Sequence, residues 1–527
     1  MKVTMKQIIL KGVLVVIAGL LTVSCSKEYL DTFPEDSTSP STIFSTTDNA
    51  KMAINGIARL MTVQYMSNQG YNGEGTIMSH YGNWPGNDLQ RSNNTGNDYI
   101  INADSHDQVS YYITIYAWFY YYKLISNANQ VIANIDNAEG PESERAFIKA
   151  QALVYRAYSY FMLSQIYCYR WDDRNSAVNE GVGYGLPYRS HDDEDPTGPL
   201  AKTKLEDIYG FVYKDLDDAI ALFKQSGLKR ASDEFYLPDI DVAYGVYARA
   251  ALTRQDWAKA ADMAKQARQG HTLMSQNDYM ESGFSVPNNE WIWGVYDASD
   301  QTIYYYSYFA YLASNGSSGN CRQYPSAISQ ELYDQIPETD VRRGLWLEPT
   351  EAERKECNAA GRSTKSLYTR AFAEHGDKLY GTSYIYMYMQ FKFQNQDQPG
   401  VGPFNFMRAA EMYLTEAEAL CMQGGHDSDV QKLLNTLNAN LDPSYNCTKT
   451  GADLLKEVKF YRRLDLWGEG QNWFDFKRWN EPIVRKSIAD GGSWHKTFAG
   501  TIAPDANYKW TFYIPQKELD YNNLVHN

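Results

Sequence analysis

Apolar positions recur at helical spacing through much of this chain. Tyr121, Ile125, Ala128, Ile132 and Ile135 advance by alternating steps of four and three, and Gly140-Pro141 ends the run. Ala150, Val154, Ala157 and Phe161 continue the pattern, with Ser143 as a candidate N-cap. The two runs predict an antiparallel helix pair with a short connection. Thr203-x-x-Glu206 has the form of a capping box, and behind it Ile208, Val212, Leu216, Ala219 and Phe223 make one apolar stripe. Further pairs are predicted over residues 239–252 and 256–269, and over 409–422 and 428–441. A last helix, about 452–467, stops at Gly468 and Gly470. Trp257, Ala260, Ala261, Ala264 and Ala267 place small residues where a neighbouring helix can approach closely. The pattern predicts a mainly α fold: a tetratricopeptide-like helix-pair scaffold whose periods are too irregular for a regular array.

Between these blocks run irregular stretches, about 67–105, 172–202, 276–320 and 345–403, rich in Gly, Asn, Pro and aromatics. Loops of this length are uncommon in a compact protein and are functional or disordered. Short strands are predicted inside them, at Glu290-Trp291-Ile292-Trp293-Gly294 and over 385–393.

The N-terminus has a different pattern. Lys2, Lys6 and Lys11 precede an apolar run from Val13 to Val23, shorter than the about 20 residues a membrane-spanning helix needs. A basic head, a short apolar core and Leu21-Thr22-Val23-Ser24-Cys25 look like a bacterial lipoprotein signal, with Cys25 lipidated as the mature N-terminus. Residues 1–24 then form the leader and 25–41 a polar tether with Pro34 and Pro40. Residues 42–527 form one domain with halves of about 42–275 and 276–527. Acyl chains would hold the mature chain to a membrane.

The 527-residue chain carries a formal charge of −15, and loss of the leader's three lysines makes it more negative. With no basic stripe to offset this, nucleic acid is not an expected partner. Beyond Cys25 there are Cys168, Cys321, Cys357, Cys421 and Cys447, an odd number without C-x-x-C spacing. No zinc ribbon or disulfide framework is implied, and no pairing can be assigned. Aromatic content changes the picture more: 43 Tyr, 12 Trp and 20 Phe. Tyrosine joins a flat apolar face to a polar tip, which suits both recognition surfaces and wet cores.

The last third carries a family resemblance. Met407-Arg408-Ala409-Ala410-Glu411-Met412-Tyr413-Leu414, the block Arg462-Arg463-Leu464-Asp465-Leu466-Trp467-Gly468-Glu469-Gly470, then Trp473-Phe474-Asp475-Phe476-Lys477-Arg478-Trp479, and the ending Ile514-Pro515-Gln516-Lys517-Glu518-Leu519 occur in that order. They resemble the SusD/RagB family of outer-membrane nutrient-binding lipoproteins. Tyr461, Asp465 and Asn472 depart from the family's usual Glu, Glu and Arg. Arg462, Glu469, Asp475 and Arg478 are expected to form a charged network between helix ends. The resemblance implies a lipid-anchored protein on the outer face of the outer membrane. It implies no catalysis and no cofactor, and a SusC-type TonB-dependent transporter as partner. The implied cargo is an oligosaccharide, with peptide as the alternative; a glycoside hydrolase is the competing class.

Sugar capture needs flat aromatic faces and planar polar groups. Trp84, with Asn87 and Asp88, is the first candidate. Its Trp-x-x-Asn spacing resembles the aromatic-plus-asparagine arrangement of the family's starch-binding member, and the alternative is a packed loop anchor. Tyr304, Tyr305 and Tyr308 are the second, since successive tyrosines cannot all face one way, and Trp346 is the third. Trp118, Trp291, Trp293 and Trp467 read as structural. Asp192, Asp193 and Asp195 are a weak calcium candidate, more simply a solvated acidic run. The histidines show no metal-ligand spacing.

Overall fold

The computed structural model describes residues 40–63, 71–91, 97–295 and 307–527. The leader, Cys25, most of the tether, Tyr304 and Tyr305 lie outside the described residues.

Eleven helices of eight residues or more carry the described architecture: α1 (Thr47–Leu60), α2 (Tyr112–Asn134), α3 (Glu142–Tyr167), α4 (Leu205–Ser226), α5 (Ile240–Thr253), α6 (Trp257–Ala267), α7 (Ser366–His375), α8 (Ala409–Gln423), α9 (Asp427–Asn438), α10 (Gly451–Asp465) and α11 (Asn472–Trp479). From α1 to α6 each helix packs on the next in sequence. The series then continues from α6 to α8, which packs on both α9 and α10. The predicted stripes of α2, α3 and α4 are buried along their length. Side-chain caps start α5 and α6. Asp239 accepts from the amides of Asp241 and Val242, and Asp256 from that of Lys259. Gly227 ends α4 in the left-handed region. No described helix is long and apolar enough to cross a membrane.

Two predicted starts differ. Pro141, not Ser143, precedes the first turn of α3, because its fixed φ suits the entry to a helix. Thr203 is no cap for α4. It pairs with Leu186 in a two-residue ladder, and Lys204 takes the cap position without a side-chain hydrogen bond.

The strands are short and paired in twos: β1 (Leu89–Arg91), β2 (Trp291–Val295), β3 (Ser326–Ile328), β4 (Phe404–Arg408), β5 (Ile483–Arg485) and β6 (Gly500–Ile502). β1 lies antiparallel to β3 with Leu89 opposite Ile328. β2 lies antiparallel to β4 with register shifts around Trp293, and β5 to β6. The strand expected over 385–393 shrinks to Ile385–Tyr386, and bridges at Met389 and Gln390 continue it loosely.

The larger departure concerns the first irregular stretch. Residues 71–91 are buried throughout, and Ile77–Asn83 wind as a π-helix. This segment runs through the molecule as a strap instead of crossing its surface. Asn83 donates to the Gly468 carbonyl (2.7 Å) and accepts from the Gly470 amide (2.9 Å). Arg485 donates to the carbonyls of Pro85 (2.6 Å), Gly86 (2.7 Å) and Ile101 (2.8 Å).

The residues that carry the family resemblance build a buried ionic core. Arg408, at the end of β4, pairs with Glu290 (2.6 Å), Glu469 (2.7 Å) and Asp465. Lys392 reaches Glu469 (2.7 Å), and Arg342 joins Asp465 (2.8 Å) to Asp340. The expected network divides in two. Arg462 and Arg478 share Asp475, and Arg478 continues to Glu418, whereas Glu469 belongs to the Arg408 cluster. Breaking a buried pair leaves an uncompensated charge, at a cost of about 3–5 kcal/mol.

Candidate functional site

The sequence candidates that are described are packed inside. Trp84 is 2% exposed. Its indole lies 4.0 Å from the His80 ring, meets Tyr311 edge-on at 5.2 Å, and has the Arg91 guanidinium 5.1 Å above it. It serves as the loop anchor, not as an open sugar platform. Asn87 accepts from the Val484 amide (2.7 Å). Asp88 takes two hydrogen bonds from Arg463 (2.8 and 2.6 Å) and one from Asn472 (2.6 Å), and its carbonyl accepts from the Trp467 indole (3.0 Å). Asn472, one of the departures from the family pattern, is thus part of the clamp that holds Asp88.

Tyr308 is buried, stacked on Phe404 at 4.5 Å, and its hydroxyl donates to the Gly468 carbonyl (2.8 Å). Trp346 is buried edge-on against Trp467 at 6.0 Å. The described candidates fail as open faces for one reason: each rests on a partner more than a hundred residues away, which no local pattern reveals. Trp118, Trp291, Trp293 and Trp467 are buried as expected.

The acidic run folds into local turns. Asp193 accepts from the Ser190 amide and hydroxyl (3.1 and 3.0 Å), and Asp195 from Thr197 and Gly198. The three carboxylates do not converge. Among the described residues no group of three or more His, Cys, Asp or Glu is arranged to hold a metal. The five described cysteines are free thiols.

An accessible aromatic cluster does exist, at the start of α2. Tyr111 is 46% and Tyr112 48% exposed. Tyr99, on the short helix Asp98–Ile101, meets Tyr111 edge-on at 5.5 Å. Tyr71 lies 6.0 Å from Tyr112. Burial raises the Tyr71 hydroxyl well above its ordinary range, which keeps it a neutral donor. Beneath the surface pair the ladder continues down one face of α2. Tyr116 lies 5.1 Å from Tyr71 and accepts from the Gly73 amide (2.6 Å), and Tyr120 stacks on Tyr116 at 5.6 Å. The ladder ends on Glu74, which accepts from Tyr120 (3.0 Å), Tyr121 (3.4 Å) and Tyr158 (2.9 Å). The exposed phenols therefore stand on a packed column that fixes their orientation. The four-residue spacing of Tyr112, Tyr116 and Tyr120 was the available signal. It is missed when the helix is traced only from Tyr121 onward.

A sequence profile of the SusD family matches residues 257–526, and a second profile, described as starch-binding associating with outer membrane, matches 28–252. The chain belongs to the SusD family. It is 22% identical to SusD-like protein P2 of Formosa agariphila, over 87% of this chain and 88% of that one. The fold is similar to that of a SusD-like carbohydrate binding protein from Bacteroides vulgatus. That structure has a TM-score of 0.74 and 22% identity, over 92% of this chain and 98% of that one. It is also similar to a SusD superfamily protein from Bacteroides thetaiotaomicron, with a TM-score of 0.71 and 21% identity, over 91% and 99%. The mainly helical SusD-like architecture expected from the sequence is the one observed.

Proposed function

We propose that this SusD-family chain is a surface glycan-binding lipoprotein. In this reading it is tethered through Cys25 to the outer membrane, takes up oligosaccharide without cleaving it, and passes it to a SusC-type TonB-dependent transporter. The observation that carries the reading is the exposed Tyr111 and Tyr112 pair, flanked by the half-buried Tyr99, on its rigid column. Phenol faces match the C–H faces of sugar rings, and their hydroxyls exchange hydrogen bonds with sugar hydroxyls. The family profiles and the carbohydrate-binding description of the Bacteroides vulgatus relative support the same class. The strongly acidic balance of the chain argues against an anionic polymer as cargo.

Calorimetric titration of the mature protein against a panel of neutral oligosaccharides tests this. At least one glycan should bind, and the Tyr111→Ala/Tyr112→Ala double variant should bind it tenfold or more weakly with an unchanged unfolding midpoint. Release of reducing ends by the purified protein would favour the hydrolase instead. Binding of peptides with a blank glycan panel would move the cargo to peptide.

A further inference from the structure

A second cleft, of about 290 Å³, opens between the segment after α3, helix α11 and the C-terminal segment around Trp510. Its size lies near the lower end of small-ligand sites, about 300–1,000 Å³. One wall is aromatic: Tyr169 and Tyr184 meet at 5.0 Å and 64°, and Tyr184 is 38% exposed. Trp510 also lines the cleft; it is largely buried and is held in place by stacking on Trp473 at 4.2 Å. Phe476, from α11, also lines the cleft and is buried.

The rim is polar and fixed. Arg170 donates through Nε to Asn480 Oδ1 (3.1 Å) and through Nη2 to Asp172 Oδ2 (2.9 Å). Asn480 caps α11 in the left-handed region, at φ 56°, a conformation asparagine tolerates better than most residues. The hydrogen bond from Arg170 Nε holds its carboxamide oxygen. Among the described residues, the Tyr169 and Tyr184 hydroxyls, the Asn175 carboxamide and Asn480 Nδ2 make no hydrogen bond. The cleft thus combines an aromatic wall, a planar guanidinium–carboxamide pair, a carboxylate and unused donors and acceptors. That is the chemistry for a ring with adjacent hydroxyls on its edge and C–H groups on its face.

The C-terminal segment connects the cleft with the neighbourhood of Tyr111 and Tyr112. From Trp510 the C-terminal segment runs along the scaffold. Phe512 N donates to the Ile166 carbonyl (3.0 Å), Tyr513 N to His106 (2.8 Å) and Gln516 N to Val109 (3.0 Å), two residues before Tyr111. At the extended rise per residue, the five steps from Thr511 to Gln516 cover roughly 16 Å. Tyr513, on this connecting segment, is 41% exposed.

We propose that the Tyr169–Tyr184–Trp510 cleft is a second saccharide subsite, which takes a mono- or disaccharide unit of the same glycan chain whose other end rests on Tyr111 and Tyr112. This inference rests on the glycan-binding reading above and adds an extended, two-point footprint to it.

The test uses the full mature protein with neutral β-1,4-, β-1,3- and α-1,4-glucans, xylan and mannan, each as polymer and as short oligomer. Tyr184→Ala removes an exposed ring, and Asn480→Gly removes the carboxamide while suiting the left-handed backbone, so both variants should keep the parent's thermal midpoint. The double variant should bind the polymer at least tenfold more weakly and the oligomer that engages Tyr111 and Tyr112 within twofold of the parent. Polymer affinity within twofold of the parent overturns the second subsite. If the Tyr111→Ala/Tyr112→Ala variant still loses binding in that case, the glycan-binding reading itself survives. A parent that binds no saccharide overturns both.

Discussion

Glu74 and Glu418 are both buried glutamates whose pKa values are pushed in opposite directions. Burial alone would raise the Glu418 carboxyl, but the Arg478 guanidinium, with Arg462 and the Trp479 indole, overturns that effect and holds it at about 2. Glu74 has hydrogen bonds from three phenols and only the more distant Arg249 as a cation. Burial dominates there and lifts the carboxyl to about 7. The folded pKa therefore lies above the ordinary value of 4.5, and between those two values the folded protein keeps a proton that the unfolded chain has released. The stability contributed by this group is complete below about pH 4.5 and is lost as the pH rises through 7. A shift of this size corresponds to on the order of 3 kcal/mol. Urea unfolding of the parent and of Glu74→Gln at pH 4.5 and pH 8 reads it directly. The parent should lose stability relative to the variant at the higher pH. Identical pH dependences in the two proteins would show that the Glu74 pKa is unshifted on folding, so that the phenols offset burial.

At the scale of elements, the strap at residues 82–88 decides where the aromatics point. Gly82 faces the Gly470 carbonyl so closely that a Cβ there would lie 1.9 Å from its oxygen, and backbone cannot yield as a flexible side chain does. Gly82→Ala should therefore cost about 3 kcal/mol, at the upper end of overpacking effects. Gly210 sits in α4 with open space around its missing Cβ, and Gly210→Ala should stabilise by about 0.5–1 kcal/mol. Chemical denaturation of the two variants beside the parent checks both signs. The same strap shows what the sequence could and could not convey. Most scaffold helices were legible because each announces itself locally: the Tyr121–Ile135 stripe, the Asp239 and Asp256 caps and the glycines after α10 are all short-range signals, whereas α7 lies inside the stretch 345–403 expected to be irregular. The site was less legible. Trp84, Asn87 and Asp88 have the composition of a sugar-binding loop, yet their surroundings come from Arg463, Trp467, Asn472 and Arg485, almost four hundred residues later. Glycine, asparagine and proline mark irregular backbone, and irregular backbone is usually at the surface. Here the polar groups of the strap are satisfied by side chains from the far end of the chain, which removes the reason for it to be exposed.

For the whole molecule, these long-range clamps bear on whether the helical series behaves as a solenoid. In a quasi-one-dimensional repeat array each unit needs only its neighbours, so an N-terminal portion can fold without the rest. Contacts in this protein point the other way. Arg249 in α5 forms two hydrogen bonds with Glu411 in α8 (2.7 Å each), and Lys477 in α11 caps the carbonyls of Gln165 and Cys168 at the end of α3. Asp88 is clamped by Arg463, and one buried apolar core runs through both halves of the chain. Cutting the chain near residue 275 would separate Arg249 from Glu411 and Asp88 from Arg463, and would expose to water the apolar surface of the shared core that the second half covers. A fragment of residues 40–275 should therefore show no cooperative urea transition, while the full chain loses helical ellipticity and tryptophan burial at the same midpoint. Adding a 276–527 fragment should restore the transition. A fragment 40–275 that unfolds cooperatively on its own, with α2 to α6 intact, would mean that the helix-pair series holds itself together and that the ionic core serves only to fasten the two halves to one another.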